Sequence, residues 1–140
     1  MFRSMLILSV LALAACAPRT SVPPTTAAPP ATEGKVTARG SFEGASGHLT
    51  SGTVEVVRLA GGGYVVELGN DFTHDGAPDP VVGFGDGQYV AISKLGSLQA
   101  LTGRQLYAVP ATIDVGRFDQ VYVWCEEFGV PLGVASLALL

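Results

Sequence analysis

From Gly34 to Leu140 the apolar residues fall in short runs of period two separated by glycines, and no window keeps a 3.6-residue period over helical length. The run that organises the others is Val121-Tyr122-Val123-Trp124-Cys125. Alternation puts Val121, Val123 and Cys125 on one face and Tyr122 and Trp124 on the other, which predicts a central strand that is apolar on both sides. A first strand is expected over 35–42. Segments 52–58 and 64–68 answer each other across Ala60-Gly61-Gly62-Gly63, a hairpin turn. Segments 81–84 and 89–92 flank Gly85-Asp86-Gly87, and segments 98–101 and 105–109 flank Thr102-Gly103, which predicts two more hairpins. A strand over 132–139 closes the chain. The fold class is therefore all-β: a single antiparallel β-sandwich of about eight strands over residues 34–140, a flattened barrel being the pattern's other solution.

Ahead of Gly34 the pattern changes twice. Arg3 supplies a positive start, residues 5–13 an apolar run too short to span a bilayer, and Leu13-Ala14-Ala15-Cys16 a small-residue cleavage site, so residues 1–15 read as a signal peptide. Those four residues resemble the lipobox of bacterial lipoproteins. The resemblance implies that Cys16 becomes the mature N-terminus, carrying lipid on its sulfur and its amine. Ala17 after it, where an aspartate would retain the protein, implies the periplasmic side of the outer membrane in a Gram-negative envelope. Residues 16–33 are rich in proline, threonine and alanine, with no apolar periodicity, and prolines forbid helices and sheet ladders. They are expected to form a flexible, semi-extended tether of about 3 Å per residue. A glycosylated stalk or a ligand for a proline-reading domain has the same composition.

Composition narrows the partners. A chain of 140 residues with such a leader has room for one domain, and its formal charge of -4 without a basic run removes the attraction to phosphate backbones, so no nucleic acid is expected. The partners left are the membrane, through the lipid anchor, and a redox partner protein. Of the two cysteines, a lipidated Cys16 cannot form a disulfide, so Cys125 is expected unpaired in an oxidising compartment.

Cys125 is thus the candidate redox residue. A reactive thiol needs positive charge nearby, but Glu126 and Glu127 follow it and no Lys or Arg lies within four residues, so the local sequence opposes ionisation unless Arg104 or Arg117 folds back onto it. A small buried hydrophobe fits the same residue. As a cofactor ligand, Cys125 or His48 could serve non-covalent haem; covalent haem is excluded in its usual form by the absence of Cys-x-x-Cys-His. His48 and His74 with Cys125 would suit a trigonal copper site, but no histidine follows the cysteine, and no metal site is assigned. His48 fits a turn-stabilising role equally. Segment 70–79 holds three aspartates at a spacing that does not match a helix-loop-helix calcium loop, and reads as solvated turn. Residues 83–87 read as a hairpin, and neither a Gly-x-Ser-x-Gly elbow nor a phosphate loop is present. No enzyme activity is expected of the domain on its own.

Taken in order, Phe42, His48, Gly52, Leu68, Asp71-Phe72, Gly76-Ala77-Pro78-Asp79, Leu95-Gly96-Ser97-Leu98, Gly103-Arg104-Gln105-Leu106-Tyr107, Pro110, Asp114, Val121 to Cys125, Phe128 and Gly133-Val134-Ala135 resemble the DM-thirteen domain. This module accompanies DOMON domains in Skeletor-like animal proteins and stands alone in bacterial lipoproteins. Trp124-Cys125 at a strand end, followed by Phe128 and Gly133-Val134-Ala135, is the most specific part. The resemblance implies a β-sandwich and a proposed electron-transfer role centred on the cysteine, as a naked thiol or as the ligand of a prosthetic group such as haem. Pro80 after Asp79, and Glu126-Glu127 in place of a more usual basic residue, depart from the pattern. The expected function is an envelope-anchored redox module. The alternative is a binding or structural module in which Cys125 is a core residue.

Overall fold

The computed structural model describes residues 32–140. The signal peptide, Cys16 and the tether through residue 31 lie outside the described residues. The strands are β1 (Gly34–Gly44), β2 (Thr50–Ser51), β3 (Thr53–Leu59), β4 (Tyr64–Leu68), β5 (Thr73–His74) and β6 (Pro80–Gly85) in the first part of the chain. There follow β7 (Gly96–Ser97), β8 (Gln105–Val109), β9 (Gln120–Cys125), β10 (Val130–Ser136) and β11 (Ala138–Leu139), with single 3-10 turns at Ala91–Ser93 and Val115–Arg117.

One antiparallel sheet runs β7-β6-β9-β10-β1-β3-β4-β8, with β11 also on β1, and a separate two-stranded ladder joins β2 to β5. The long strand β1 belongs to both layers. Its Gly34 to Ser41 pair with β3, Ala38 and Arg39 also pair with β11, and Phe42 to Gly44 pair with β10. A bulge at Thr37 lets the strand bend. The two halves of the sheet fold over at β1 and share one core: Val54, Val56, Val66, Leu68 and Tyr107 from one half meet Val82, Phe84, Val121, Val123 and Leu132 from the other. The result is a β-sandwich close to a barrel.

β9 is the central strand that its pattern predicts. It lies between β6 and β10, with Val121, Val123 and Cys125 facing the core and Tyr122 buried on the other side. The hairpin between β3 and β4 also forms as expected, Arg58 opposite Tyr64. Two expected strands do not form. Segment 89–92 keeps only a bridge from Tyr89 to Gly85 and then turns, because Ser93 takes over the pairing: its hydroxyl accepts from Phe84 N–H at 2.8 Å and reaches the Phe84 carbonyl at 2.8 Å. Segment 98–101 does not pair with β8. The Gln105 side-chain amide holds it instead, its oxygen accepting from Gln99 N at 3.1 Å and its nitrogen donating to Ala100 O at 2.8 Å, while the Gln105 backbone pairs with Leu68 of β4. The closing segment 132–139 is cut by Leu137 into β10 and β11.

The strand registers also sort the molecule into two ends. Gly34, Leu139 and Leu140 lie at one, where Leu140 N donates to Thr37 O at 3.0 Å. Gly44, paired with Gly133, lies at the other, together with the loop after β9 and the β2–β5 ladder. Thr32, on the tether side of the expected boundary, bonds to Glu67 and accepts from Arg104 Nη2 at 2.8 Å, and Arg104 Nε donates to Glu67 Oε1 at 2.5 Å. That pairing holds the Glu67 carboxyl below the usual carboxylate range, chiefly through the Arg104 hydrogen bond. A depressed carboxylate stabilises the fold above its unfolded value and loses that contribution as pH falls through its folded value. Glu67→Gln should therefore flatten the decline of the thermal midpoint below about pH 4.5.

Candidate functional site

Cys125 ends β9 at the end of the sandwich away from Gly34, opposite Pro80 of β6 and Val130 of β10. Only 1% of its surface is exposed, and Sγ donates to the Pro78 carbonyl at 3.1 Å. Neither arginine considered from the sequence reaches it: Arg104 is taken by Glu67, and Arg117 lines a cavity at the other end. Lys94 comes instead to Glu126, Nζ to Oε2 at 2.7 Å, and balances one of the two carboxylates that follow the thiol. On the opposite face of the strand, Trp124 stacks on Tyr89 with ring centroids 4.8 Å apart.

The Tyr89 hydroxyl is buried with no hydrogen-bond partner among the described residues. Burial first, and the Glu126 charge second, push its pKa up to about 12. Tyrosinate absorbance should therefore rise late for this residue, and stability should fall from about pH 10 upward as the unfolded chain ionises first. Because an unpartnered hydroxyl carries only its desolvation cost, Tyr89→Phe is expected to raise stability, by about 1 kcal/mol, in denaturant titrations.

The two histidines meet although 26 positions separate them. The β2–β5 ladder sets Thr50 opposite His74, and His48 lies one turn ahead of Thr50. Asp75 is the hub, its Oδ1 accepting from His48 Nδ1 at 3.1 Å and lying 3.6 Å from His74 Nδ1. The ring centroids are 5.8 Å apart. Backbone bonds fix both sides of this group, Asp75 N to Leu49 O at 3.0 Å and His74 N to Leu101 O at 2.8 Å.

The His74 side chain is fully buried. Thr50 Oγ1 donates its one proton to Leu132 O at 2.8 Å, so its 2.9 Å contact with His74 Nδ1 requires the ring to donate there. His74 Nε2 then holds a lone pair in a buried position with no partner among the described residues. Desolvation, opposed by Asp75, lowers the His74 pKa, and the backbone bond from Leu49 is the first cause of a lowered pKa at Asp75. At neutral pH the group is a neutral buried imidazole beside an ionised carboxylate.

Cys125 does not join the histidines in the ligand set that a trigonal copper site needs; the third group beside them is Asp75. A cavity of about 570 Å³ at the other end of the sandwich is lined by Val56, Tyr64, Ile113, Val115, Phe118 and Leu137 among others, and neither Cys125 nor His48 borders it. An axial haem ligand from either residue has no counterpart in that cavity.

With this geometry in place, residues 41–137 match the family described as Electron transfer DM13. The chain belongs to that family. The matched DM13 stretch spans β1 from Ser41 through Leu137 and so takes in Cys125, His48, His74 and Asp75. No curated protein and no solved structure matches the chain.

Sequence reasoning singled out Cys125 and His48, set His74 beside His48 only in a copper set that needs Cys125, and left Asp75 in a solvated turn. The structure buries His74, and Asp71 from the same segment is also occupied, its Oδ1 accepting from Thr53 N at 3.0 Å and Thr53 Oγ1 at 2.8 Å. The His74-Asp75 pair, carried at the same kind of glycine-rich bend as His48, was the available signal. Nothing in the spacing announces that β2 and β5 pair.

Proposed function

We propose that this protein is an electron-transfer accessory module of the cell envelope, held there by lipid on Cys16, that passes electrons to or from a partner protein at the end of the domain carrying Cys125. The observation that carries the reading is the family match across Cys125, taken with the position of this cysteine at the end of the sandwich opposite Gly34. A thiol with 1% exposure, bonded to a backbone carbonyl, is out of reach of a second thiol, so disulfide exchange is not the chemistry it suits. One-electron oxidation of the thiol by an oxidised partner docked at this end, the Sγ proton leaving with the electron, and the reverse step from a reduced partner, need no such attack. Phe128, two thirds exposed on the turn just after Cys125, supplies an apolar contact for that partner.

The test uses the full chain extracted from native membranes. Protein-film voltammetry should show a response that Cys125→Ala removes, while the substitution costs only about 1 to 2 kcal/mol of stability through a small cavity. A thiol reagent should modify Cys125 only after denaturation. A response that survives in Cys125→Ala would take the cysteine out of the mechanism.

A second reading, a binding module with Cys125 as a core residue, is favoured by the mainly apolar 570 Å³ cavity. It predicts no voltammetric response and retention of an apolar fluorophore that Val115→Trp displaces.

A further inference from the structure

We propose that His48, His74 and Asp75 form a binding site for one divalent first-row transition ion, copper or zinc in class, built on the β2–β5 ladder and independent of Cys125. One ring nitrogen of each histidine and a carboxylate oxygen of Asp75 lie within 4.8 Å of one another. Two donors on a tetrahedral ion at about 2.0 to 2.1 Å are about 3.3 to 3.4 Å apart. Asp75 Oδ1 lies 3.1 Å from His48 Nδ1, close to that separation, and the His74 ring, whose Nδ1 lies 3.6 Å from the same oxygen, enters with Nε2 because Nδ1 is held by Thr50. The edges to Nε2 close by rotation of His48 and Asp75, whose side chains are 30% and 37% exposed.

The donor chemistry selects the ion. Two imidazoles and one carboxylate suit zinc and copper, whereas calcium and magnesium prefer an all-oxygen shell, and the order of affinities puts Cu2+ first. Three protein donors also leave positions for water or for a partner's ligand.

A second observation sets this group apart from an ordinary hydrogen-bonded histidine pair. His74 is fully buried yet keeps Nε2 without a partner among the described residues, whereas a purely structural histidine in that position would be expected to have both nitrogens satisfied. Thr50 already stands behind the ring, bonded to Nδ1 and to Leu132 O, and the backbone bonds that Asp75 N and His74 N donate to Leu49 O and Leu101 O hold the two residues of the Asp75 arm. This is the outer support that orients a ligand ring. The cation takes the place of the Nδ1 proton that His48 donates to Asp75, and that proton moves to Nε2 of the same ring, so the neutral ring binds without net proton release.

The test is titration calorimetry of the full chain in detergent, stripped with a chelator, against Cu2+ and Zn2+. One equivalent should bind, and His48→Ala and Asp75→Asn should each weaken binding by about a hundredfold or more, at least the loss seen when an outer-shell support is removed. Both residues are partly exposed, so these variants should stay folded, which circular dichroism checks. Co2+ should give visible ligand-field bands without a near-ultraviolet thiolate band. No binding, affinity unchanged in both variants, or a thiolate band that Cys125→Ala abolishes would each overturn the proposal. Because no step involves Cys125, loss of the voltammetric response in Cys125→Ala leaves this site untouched, and failure here leaves that response untouched.

Discussion

Alanine at Gly52 should lower the thermal midpoint by about 15 to 30 °C, corresponding to about 3 to 5 kcal/mol, the largest loss expected from adding one methyl group to this domain. Gly52 sits at φ +111°, in the left-handed region, and a Cβ there would lie 2.4 Å from Phe72 Cα, 2.7 Å from Phe72 N and 2.8 Å from Asp71 O. These are backbone atoms, so no side-chain rotation relieves the overlap. Nor can the segments part freely. Phe72 is fully buried and packs edge-on against Phe42 with centroids 5.5 Å apart, and Gly52 O accepts from Phe42 N at 2.8 Å. The strained position and the overlap therefore add. The same displacement would unseat segment 73–78, which carries His74, Asp75 and the Pro78 carbonyl, so Cys125 should also become reactive to thiol reagents in the native buffer. A midpoint shift under about 5 °C would show that segment 69–72 yields without cost.

Cys16→Ala should move the protein from the membrane fraction to the soluble one and abolish labelling by a radioactive fatty acid. Burial of acyl chains contributes about 0.8 kcal/mol per methylene, and one chain of ordinary length holds a protein only marginally, so firm attachment needs the several chains that a lipidated N-terminal cysteine carries. Among the described residues no helix is long and apolar enough to cross a membrane. Continued labelling of Cys16→Ala, or membrane retention that resists salt and alkaline washing, would remove the anchor from its proposed place.

The β-character and the central strand were legible because period-two alternation is a local property, and β9 and the β3–β4 hairpin display it without interruption. The same rule misread 89–92 and 98–101. There the competing partners were side chains, the Ser93 hydroxyl and the Gln105 amide, and apolar pattern says nothing about a polar side chain that stands in for a strand's backbone. For the candidate sites the division falls along sequence distance. Burial of Cys125 follows from its place on β9, which alternation already puts in the core. The meeting of His48 with His74 and Asp75 depends on the ladder between β2 and β5, two residues each, too short to leave a periodic trace.

The shared strand β1 also sets when this domain can come into being. Its first neighbour in the sheet, β3, follows within a few residues, but its other neighbours are β10 and β11, the last strands of the chain. One layer of the sandwich can therefore begin to assemble early, while the second cannot close until the C-terminal residues have arrived. Loop closure over so many residues is entropically slow, which places the expected folding time in the range of milliseconds to seconds for a topology of this kind. A chain emerging from its N-terminus onward would thus wait, with β1 half-paired and its free edge exposed, until β10 and β11 emerge. Chains that stall before β10 present an open strand edge to one another, and aggregation of truncated products is the outcome that the topology leads us to expect.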